Sequence, residues 1–79
     1  MELPNWKEED GFLVKEFELS DFLGVVDFVN EIAGLAEKAG HHPDLEIYGY
    51  NKLKVKLKTH SKGKVTDKDY DLAGKIERL

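Results

Sequence analysis

The segment from Lys52 to Thr59 alternates strictly between lysine and residues that are apolar or small. Successive side chains of a β-strand point to opposite faces, so this alternation puts the four lysines on one face and the other side chains on the opposite one. The second set consists of Leu53, Val55, Leu57 and Thr59. The pattern predicts an antiparallel strand with one buried face. His60 follows on the lysine-bearing side.

The lysines of this strand belong to a longer basic stretch. Its members are Lys52, Lys54, Lys56, Lys58, Lys62 and Lys64. Lysines on a strand are commonly a solvated face that discourages edge-to-edge aggregation, and we prefer that interpretation. An anion-binding role for the stretch is the alternative.

A hairpin and a helix are predicted before this strand. Residues Asn5 to Glu9 and Phe12 to Leu19 are β-prone, and Asp10-Gly11 between them is typical of a tight turn. Ser20 is a plausible N-cap for the helix that follows. The apolar residues of that helix recur at helical spacing and are Phe22, Val25, Val26, Val29, Ile32, Ala33 and Ala36.

The apolar arc of this helix is wider than one sheet should cover. Phe28 and Leu35 extend it to about half of the circumference, beyond the stripe of roughly 100° that a surface helix buries. A core of 79 residues is also small for a stable monomer. We therefore expect a homodimer or higher homo-oligomer, with the excess apolar surface in the subunit interface.

The helix should end at Gly40 in a left-handed cap, and Pro43 prevents its resumption. Residues 45–50 form a further β-prone run. Thr66 and Asp69 have the spacing of a capping box that starts a last helix. The apolar stripe of that helix consists of Leu72, Ala73, Ile76 and Leu79. The order β-β-α-β-β-α predicts one α+β domain over residues 1–79, a two-layer fold with both helices on one face of a four-stranded antiparallel sheet.

Composition excludes several classes of function. The chain has no cysteine, so disulfides, thiolate chemistry and cysteine-based zinc sites are ruled out. A net charge of −4 argues against nucleic acid as the main partner, because duplex binding depends on neutralising phosphates with basic side chains. No apolar run approaches the roughly 20 residues that cross a bilayer. We expect a cytoplasmic protein without a membrane partner.

All three histidines lie at the ends of predicted elements. His41 and His42 follow the first helix, and His60 ends the alternating strand. An imidazole can give and take a proton near neutral pH, so such clustering suggests proton-transfer chemistry. On residue type alone, His41 and His42 are more often ordinary loop residues.

The histidines belong to a wider set of motifs. The first is Glu-x-x-x-His-His-Pro-Asp from Glu37 to Asp44, the second is Thr59-His60, and the third is a helix start with Thr66, Asp69, Leu72 and Ala73. In this order and in this structural context, the set resembles the pterin-4a-carbinolamine dehydratase family. Leu45 departs from the pattern, because the family usually has an aromatic residue there.

The resemblance implies a hydro-lyase that removes water from a 4a-hydroxytetrahydropterin to give a quinonoid dihydropterin. It implies no cofactor and no metal. His41 and His60 are then the acid/base pair, and His42 binds the pterin and assists. The substrate-binding set is Glu37, Pro43, Thr59 and Asp69. Pro43 would act by shaping the loop.

The roles of the two carboxylates stay open at this stage. Glu37 would orient an imidazole or accept a hydrogen bond from the pterin, or else is a solvated helix residue. Asp69 would hold His60 or tune its pKa, or else is a simple helix cap.

Two other functions compete with the enzyme. A protein-interaction or dimerisation module of the same fold is the main alternative, since the resemblance implies that role as well. A three-histidine metal site is improbable, because successive side chains diverge and no carboxylate completes a familiar ligand spacing.

Overall fold

The computed structural model describes Leu3 and residues 5–79. Its elements are β1 (Lys7–Glu9), β2 (Phe12–Glu18), α1 (Phe22–Ala39), β3 (Asp44–Tyr48), β4 (Lys52–Leu57) and α2 (Asp67–Glu77). The predicted element order is confirmed. Asp10 and Gly11, both at positive φ, form the predicted turn between the first two strands.

The four strands form one antiparallel sheet in the order β1-β2-β4-β3. The alternation predicted for β4 is confirmed, because Leu53, Val55 and Leu57 are completely buried. The strand ends at Leu57, two residues earlier than predicted. Its neighbours stop there as well, since the β2 pairing ends at Leu57 and the β3 pairing at Lys56. Thr59 remains buried and forms an isolated bridge with Lys64.

The lysines on the exposed face of the sheet contact carboxylate and aromatic side chains of the same chain. Lys54 lies between Glu16 and Glu46 in the strand register, and its Nζ is 3.8 Å from Glu16 Oε2. Glu16 also accepts a hydrogen bond of 2.7 Å from Tyr48, and this bond raises the pKa of the Tyr48 phenol. Lys56 and Lys58 lie over the Phe12 ring, 4.2 and 4.9 Å from its centroid. These contacts support the solvated-face interpretation for the lysines of β4.

Helix α1 begins one residue later than predicted. The N-cap is Asp21, whose carboxylate accepts a hydrogen bond of 2.7 Å from the Gly24 amide, so the assignment to Ser20 was wrong. Both residues are good caps by type, but only Asp21 has the extended backbone and the contact that define the position. At the other end, Gly40 adopts the predicted left-handed conformation, with φ 61°.

Both helices pack against the same face of the sheet, as predicted. Ile32 of α1 and Leu72 of α2 belong to one buried cluster with the inward side chains of β2 and β4. An edge-to-face chain of rings extends this core, from Trp6 to Phe17 at 6.0 Å and from Phe17 to Phe28 at 5.0 Å.

The apolar side chains of α1 are buried in a different pattern from the predicted one. Phe28 and Leu35 pack against the core and are half-buried. Phe22 and Leu23, in the first turn, are instead 51% and 72% exposed. Ala33, predicted to be in the apolar stripe of α1, is exposed too, because the helical periodicity does not show where the sheet stops covering a helix. Leu79, predicted to be in the stripe of α2, is exposed because that helix ends at Glu77.

The residue before β1 and a residue of β2 are joined to the last helix by polar contacts. Trp6 donates a hydrogen bond of 2.7 Å from its indole nitrogen to Glu77 Oε1, and Lys15 forms an ion pair with the same oxygen. Among the described residues, no helix is long and apolar enough to cross a bilayer.

Candidate active site

Four segments meet at one end of the sheet. They are the C-terminus of α1, the connection that follows it, the chain just beyond β4, and the first turn of α2. Together they line an open cavity of about 400 Å³. It is lined by Gly40, His41, His42, Pro43, Asp44, Thr59, His60, Ser61 and Lys68. The fold thus brings all three histidines to one cavity, although 17 or more residues separate His60 from the other two.

His41 is held by the buried carboxylate of Asp69. The distance from His41 Nε2 to Asp69 Oδ1 is 2.5 Å, and the His41 side chain is only 13% exposed. Asp69 is completely buried at the start of α2. An ionised carboxylate can only accept, so the hydrogen of this contact belongs to His41 Nε2. Nδ1 of a neutral His41 then carries the free lone pair.

Two further donors satisfy the second oxygen of Asp69. Oδ2 accepts a bond of 2.8 Å from the Thr59 hydroxyl and another of 2.8 Å from the Thr66 amide. The Thr66 bond completes the predicted capping box. Because the Thr59 hydrogen points to Asp69, the contact of 2.6 Å between the two threonine hydroxyls must be donated by Thr66. No buried side-chain polar atom among the described residues lacks a partner.

The expectation that Asp69 holds His60 was wrong, since Asp69 contacts His41 instead. The alternation of β4 explains the difference. Thr59 continues the inward-facing set and reaches Asp69, so the next side chain, His60, points the opposite way and is exposed. His60 has no polar side-chain contact in the part of the chain that the structure describes.

Glu37 is paired with His42. The distance from His42 Nε2 to Glu37 Oε2 is 2.6 Å, and both side chains are mostly exposed. The left-handed turn at Gly40 carries the chain back, so that His42 reaches a carboxylate five residues earlier. Glu37 therefore orients an imidazole, one of the two roles expected for it, and does not line the cavity.

A comparison with known protein families gives a match over the whole chain. The model of the family described as pterin 4 alpha carbinolamine dehydratase matches residues 1–79. The chain belongs to this family.

Relatives from several organisms agree with this assignment. A protein of Picosynechococcus is 44% identical over 78 residues, which cover 99% of this chain and 84% of the relative. One from Thermosynechococcus vestitus is 48% identical over 77 residues, covering 98% and 80%. Both are named provisionally as pterin-4-alpha-carbinolamine dehydratase.

Two solved structures have the same fold. The crystal structure of a transcriptional coactivator/pterin dehydratase from Brucella melitensis has a TM-score of 0.88 and 33% identity, over 96% of this chain and 82% of that one. A pterin dehydratase-like protein identified as a RuBisCO assembly factor in the α-carboxysome has a TM-score of 0.76 over 94% of this chain and 87% of that one. At 18% identity, it supports the fold alone.

Several cavity residues were missed by the sequence prediction. Ser61 and Lys68 line the cavity, yet neither belongs to the motifs of the dehydratase family quoted above. The position of Lys68, directly before Asp69 in the capping box, was the available signal. Leu45, at the position where the family usually has an aromatic residue, packs against the core and does not line the cavity.

No group of three or more histidine, aspartate and glutamate side chains among the described residues is arranged to hold a metal ion. The His41 and His42 Nε2 atoms each face a different carboxylate, Asp69 and Glu37. The cavity instead offers three imidazoles at different exposures, which is an arrangement suited to moving protons.

The contact between Asp69 and His41 leads to a prediction about the His41 tautomer. In Asp69→Asn, the amide oxygen can replace Oδ2, which leaves the NH₂ group facing His41 Nε2. Neutral His41 should then carry its hydrogen on Nδ1, whereas the parent carries it on Nε2. Nitrogen-15 NMR of the imidazoles measures this change directly.

Thr66→Ala is the matched control for that variant. It removes a cap hydroxyl from the same network and should lower the free energy of unfolding by about 1 kcal/mol, but it should leave the His41 tautomer unchanged. A folded Asp69→Asn protein with the parental tautomer would contradict the proposed hydrogen-bond direction.

Proposed function

We propose that this protein is a 4a-hydroxytetrahydropterin dehydratase, which eliminates water to give the quinonoid dihydropterin. The family match over the whole chain supports the substrate class. The observation that carries the chemistry is the meeting of His41, His42 and His60 at one cavity, with His41 bonded to a buried carboxylate. A cavity of about 400 Å³ is within the usual range for small-molecule sites.

The reaction asks for two proton transfers. Hydroxide is a poor leaving group, so an acid must protonate the oxygen that leaves C4a. A base must accept a proton from the pterin ring as the new double bond forms. A pair of imidazoles in different protonation states can supply both transfers near neutral pH.

His41 is the proposed base. Its Nε2 is occupied by Asp69 Oδ1, so the lone pair on Nδ1 is the one available to accept a proton. Protonation of Nδ1 makes an imidazolium next to a buried carboxylate, which stabilises the positive charge. The hydroxyl of Thr59 and the amide of Thr66 keep that carboxylate in place.

His60 is the proposed acid. It lines the same cavity from the end of β4 and is exposed, so it can exchange protons with water between turnovers. No side chain among the described residues fixes its ring, which leaves the ring able to turn toward the leaving oxygen. His42, oriented by Glu37 at the mouth of the cavity, is assigned to pterin binding.

Replacing either histidine of the proposed pair tests these roles. A positioned acid or base contributes about 10² to 10⁴ in rate, so His41→Ala and His60→Ala should each lower kcat by at least about 10². The double variant should lose less than the product of the two factors, because the groups act in one step. Rates of loss of a freshly generated 4a-hydroxytetrahydropterin provide the measurement.

His42→Ala is the control among the histidines, and its main effect should be on KM. A strong chelator should change none of the rates. Near-parental kcat in both His41→Ala and His60→Ala, with all variants folded by circular dichroism, would reject the proton-transfer assignment. Loss of activity on chelation would reject it in favour of a metal site.

A protein-interaction or dimerisation module is the alternative function. The exposed side chains of Phe22, Leu23 and Ile47 favour it, because apolar residues of this size are costly to leave in water. The name of the Brucella melitensis protein joins the two roles, since it is called both a coactivator and a pterin dehydratase. Binding of protein partners without turnover of the pterin would favour this alternative.

We also propose that the chain forms a homodimer or a higher homo-oligomer, with the exposed side chains of Phe22 and Leu23 in the interface. Light scattering at micromolar concentration should give at least twice the chain mass of 9.0 kDa. The variant with Phe22→Ser and Leu23→Ser should dissociate more readily, because both residues are exposed in the isolated subunit and can be changed without loss of core packing. A strictly monomeric mass for the parent protein would contradict the proposal.

A further inference from the structure

The segment from Lys58 to Lys68, which follows β4, is basic in an acidic protein, although Asp44 also lines the cavity. Residues 58–68 contain four lysines and one aspartate, whereas the whole chain has a net charge of −4. The loop that carries Lys62 and Lys64 is exposed and begins directly after His60. The charge of this segment is therefore opposite to the charge of the protein as a whole.

Lys68 is distinguished from the lysines of β4 by its surroundings. Lys54 is near Glu16, and Lys56 lies over the Phe12 ring, so both have partners on the sheet. Lys68 has no ion pair or side-chain hydrogen bond within residues 5–79. It also occupies the first turn of α2, where the helix dipole disfavours a cation. Contacts among the described residues thus leave the ammonium group of Lys68 available to a ligand.

The position of Lys68 connects it to the site. It lines the cavity of about 400 Å³ that holds the three histidines. It also lines a second cavity of about 220 Å³, and His41 is the other residue that the two cavities share. An ammonium group at this junction lies within the reach of a ligand that extends beyond the ring-binding region.

The proton transfers assigned to His41 and His60 do not require this charge, and a neutral pterin side chain carries no negative charge to pair with it. Lysine ammonium groups bind phosphate and carboxylate oxygens, and such charge-assisted hydrogen bonds are stronger than neutral ones. Ser61, on the wall of the same cavity, adds a hydroxyl that can donate. Lys62 and Lys64 raise the local positive potential, which increases the capture of anions.

We propose that Lys68 and Ser61 form an anion subsite of this cavity. This inference rests on the proposed dehydratase function. The substrate class is then a 4a-hydroxytetrahydropterin whose side chain ends in a phosphate or a carboxylate. The ring binds among the histidines, and the anionic end of the side chain lies against Lys68. The basic loop at residues 61–64 attracts the substrate before it binds.

Three probes test this subsite in steady-state kinetics with the full chain. They are the 4a-hydroxy derivatives of 6-methyltetrahydropterin, of a tetrahydropterin with a phosphate monoester on its side chain, and of one with a side-chain carboxylate. We expect a KM at least about tenfold lower for one or both anionic probes than for the methyl probe. Rising salt concentration should reduce this preference, because salt screens exposed charges.

Lys68→Met removes the charge and keeps much of the length of the side chain. It should remove most of the KM preference for the anionic probes, whatever its effect on the methyl probe. Lys54→Met is the matched control, because it makes the same change in net charge on the opposite face of the sheet and should leave the preference as it was. The preference is a ratio of KM values in one variant, so a general loss of activity does not imitate the expected result.

The outcomes separate the two proposals. Equal KM values for all three probes, or an unchanged preference in Lys68→Met, would overturn the anion subsite and leave the dehydratase function standing. A loss of preference in Lys54→Met equal to that in Lys68→Met would overturn it as well, since the effect would then come from net charge. Turnover of none of the probes would reject the proposed function itself.

Discussion

The buried carboxylate of Asp69 joins three parts of the chain. It accepts hydrogen bonds from His41 beyond α1, from Thr59 beyond β4 and from Thr66 at the start of α2. A buried charge is costly unless its hydrogen-bonding capacity is filled, and here both oxygens have donors. One of these bonds fixes the position of His41, and the other two hold the carboxylate that makes it. The geometry of the site and the packing of the last helix therefore depend on one residue.

The alternation of side chains along β4 and beyond it determines which residues reach Asp69 and which line the cavity. Its inward set continues past the end of the strand to Thr59, which supplies one of the bonds to Asp69. The next residue, His60, points the opposite way and lies at the mouth of the cavity, without a fixed partner. One histidine is thus held beside a carboxylate and the other is exposed to water. Two imidazoles in such different environments are suited to opposite roles in a proton transfer.

Local patterns in the sequence predicted most of the fold. The alternating strand, the glycine at the end of α1 and the capping box at Thr66 each depend on residues close together in the chain, and each was confirmed. The N-cap of α1 was missed by one residue, because Ser20 and Asp21 are both suitable by type and only the backbone conformation separates them. The exposed ends of the helices were missed because the edge of the sheet that covers them is a tertiary property.

The candidate site was predictable as a set of residues and not as a set of contacts. The motifs of the dehydratase family pointed to His41, His42, His60, Thr59 and Asp69. They did not show that Asp69 contacts His41, since that pairing depends on how α2 packs beside the end of α1. They also gave no role to Lys68, which lines the cavity only because the first turn of α2 lies beside it.

The most direct test of the account is whether the protein turns over its proposed substrate. Stopped-flow spectroscopy of a freshly generated 4a-hydroxytetrahydropterin, with protein far below the pterin concentration, measures this. The account predicts loss of the pterin at a rate proportional to protein concentration, through many turnovers per chain. Loss at the spontaneous rate, even with protein in excess and pterin bound, would contradict it.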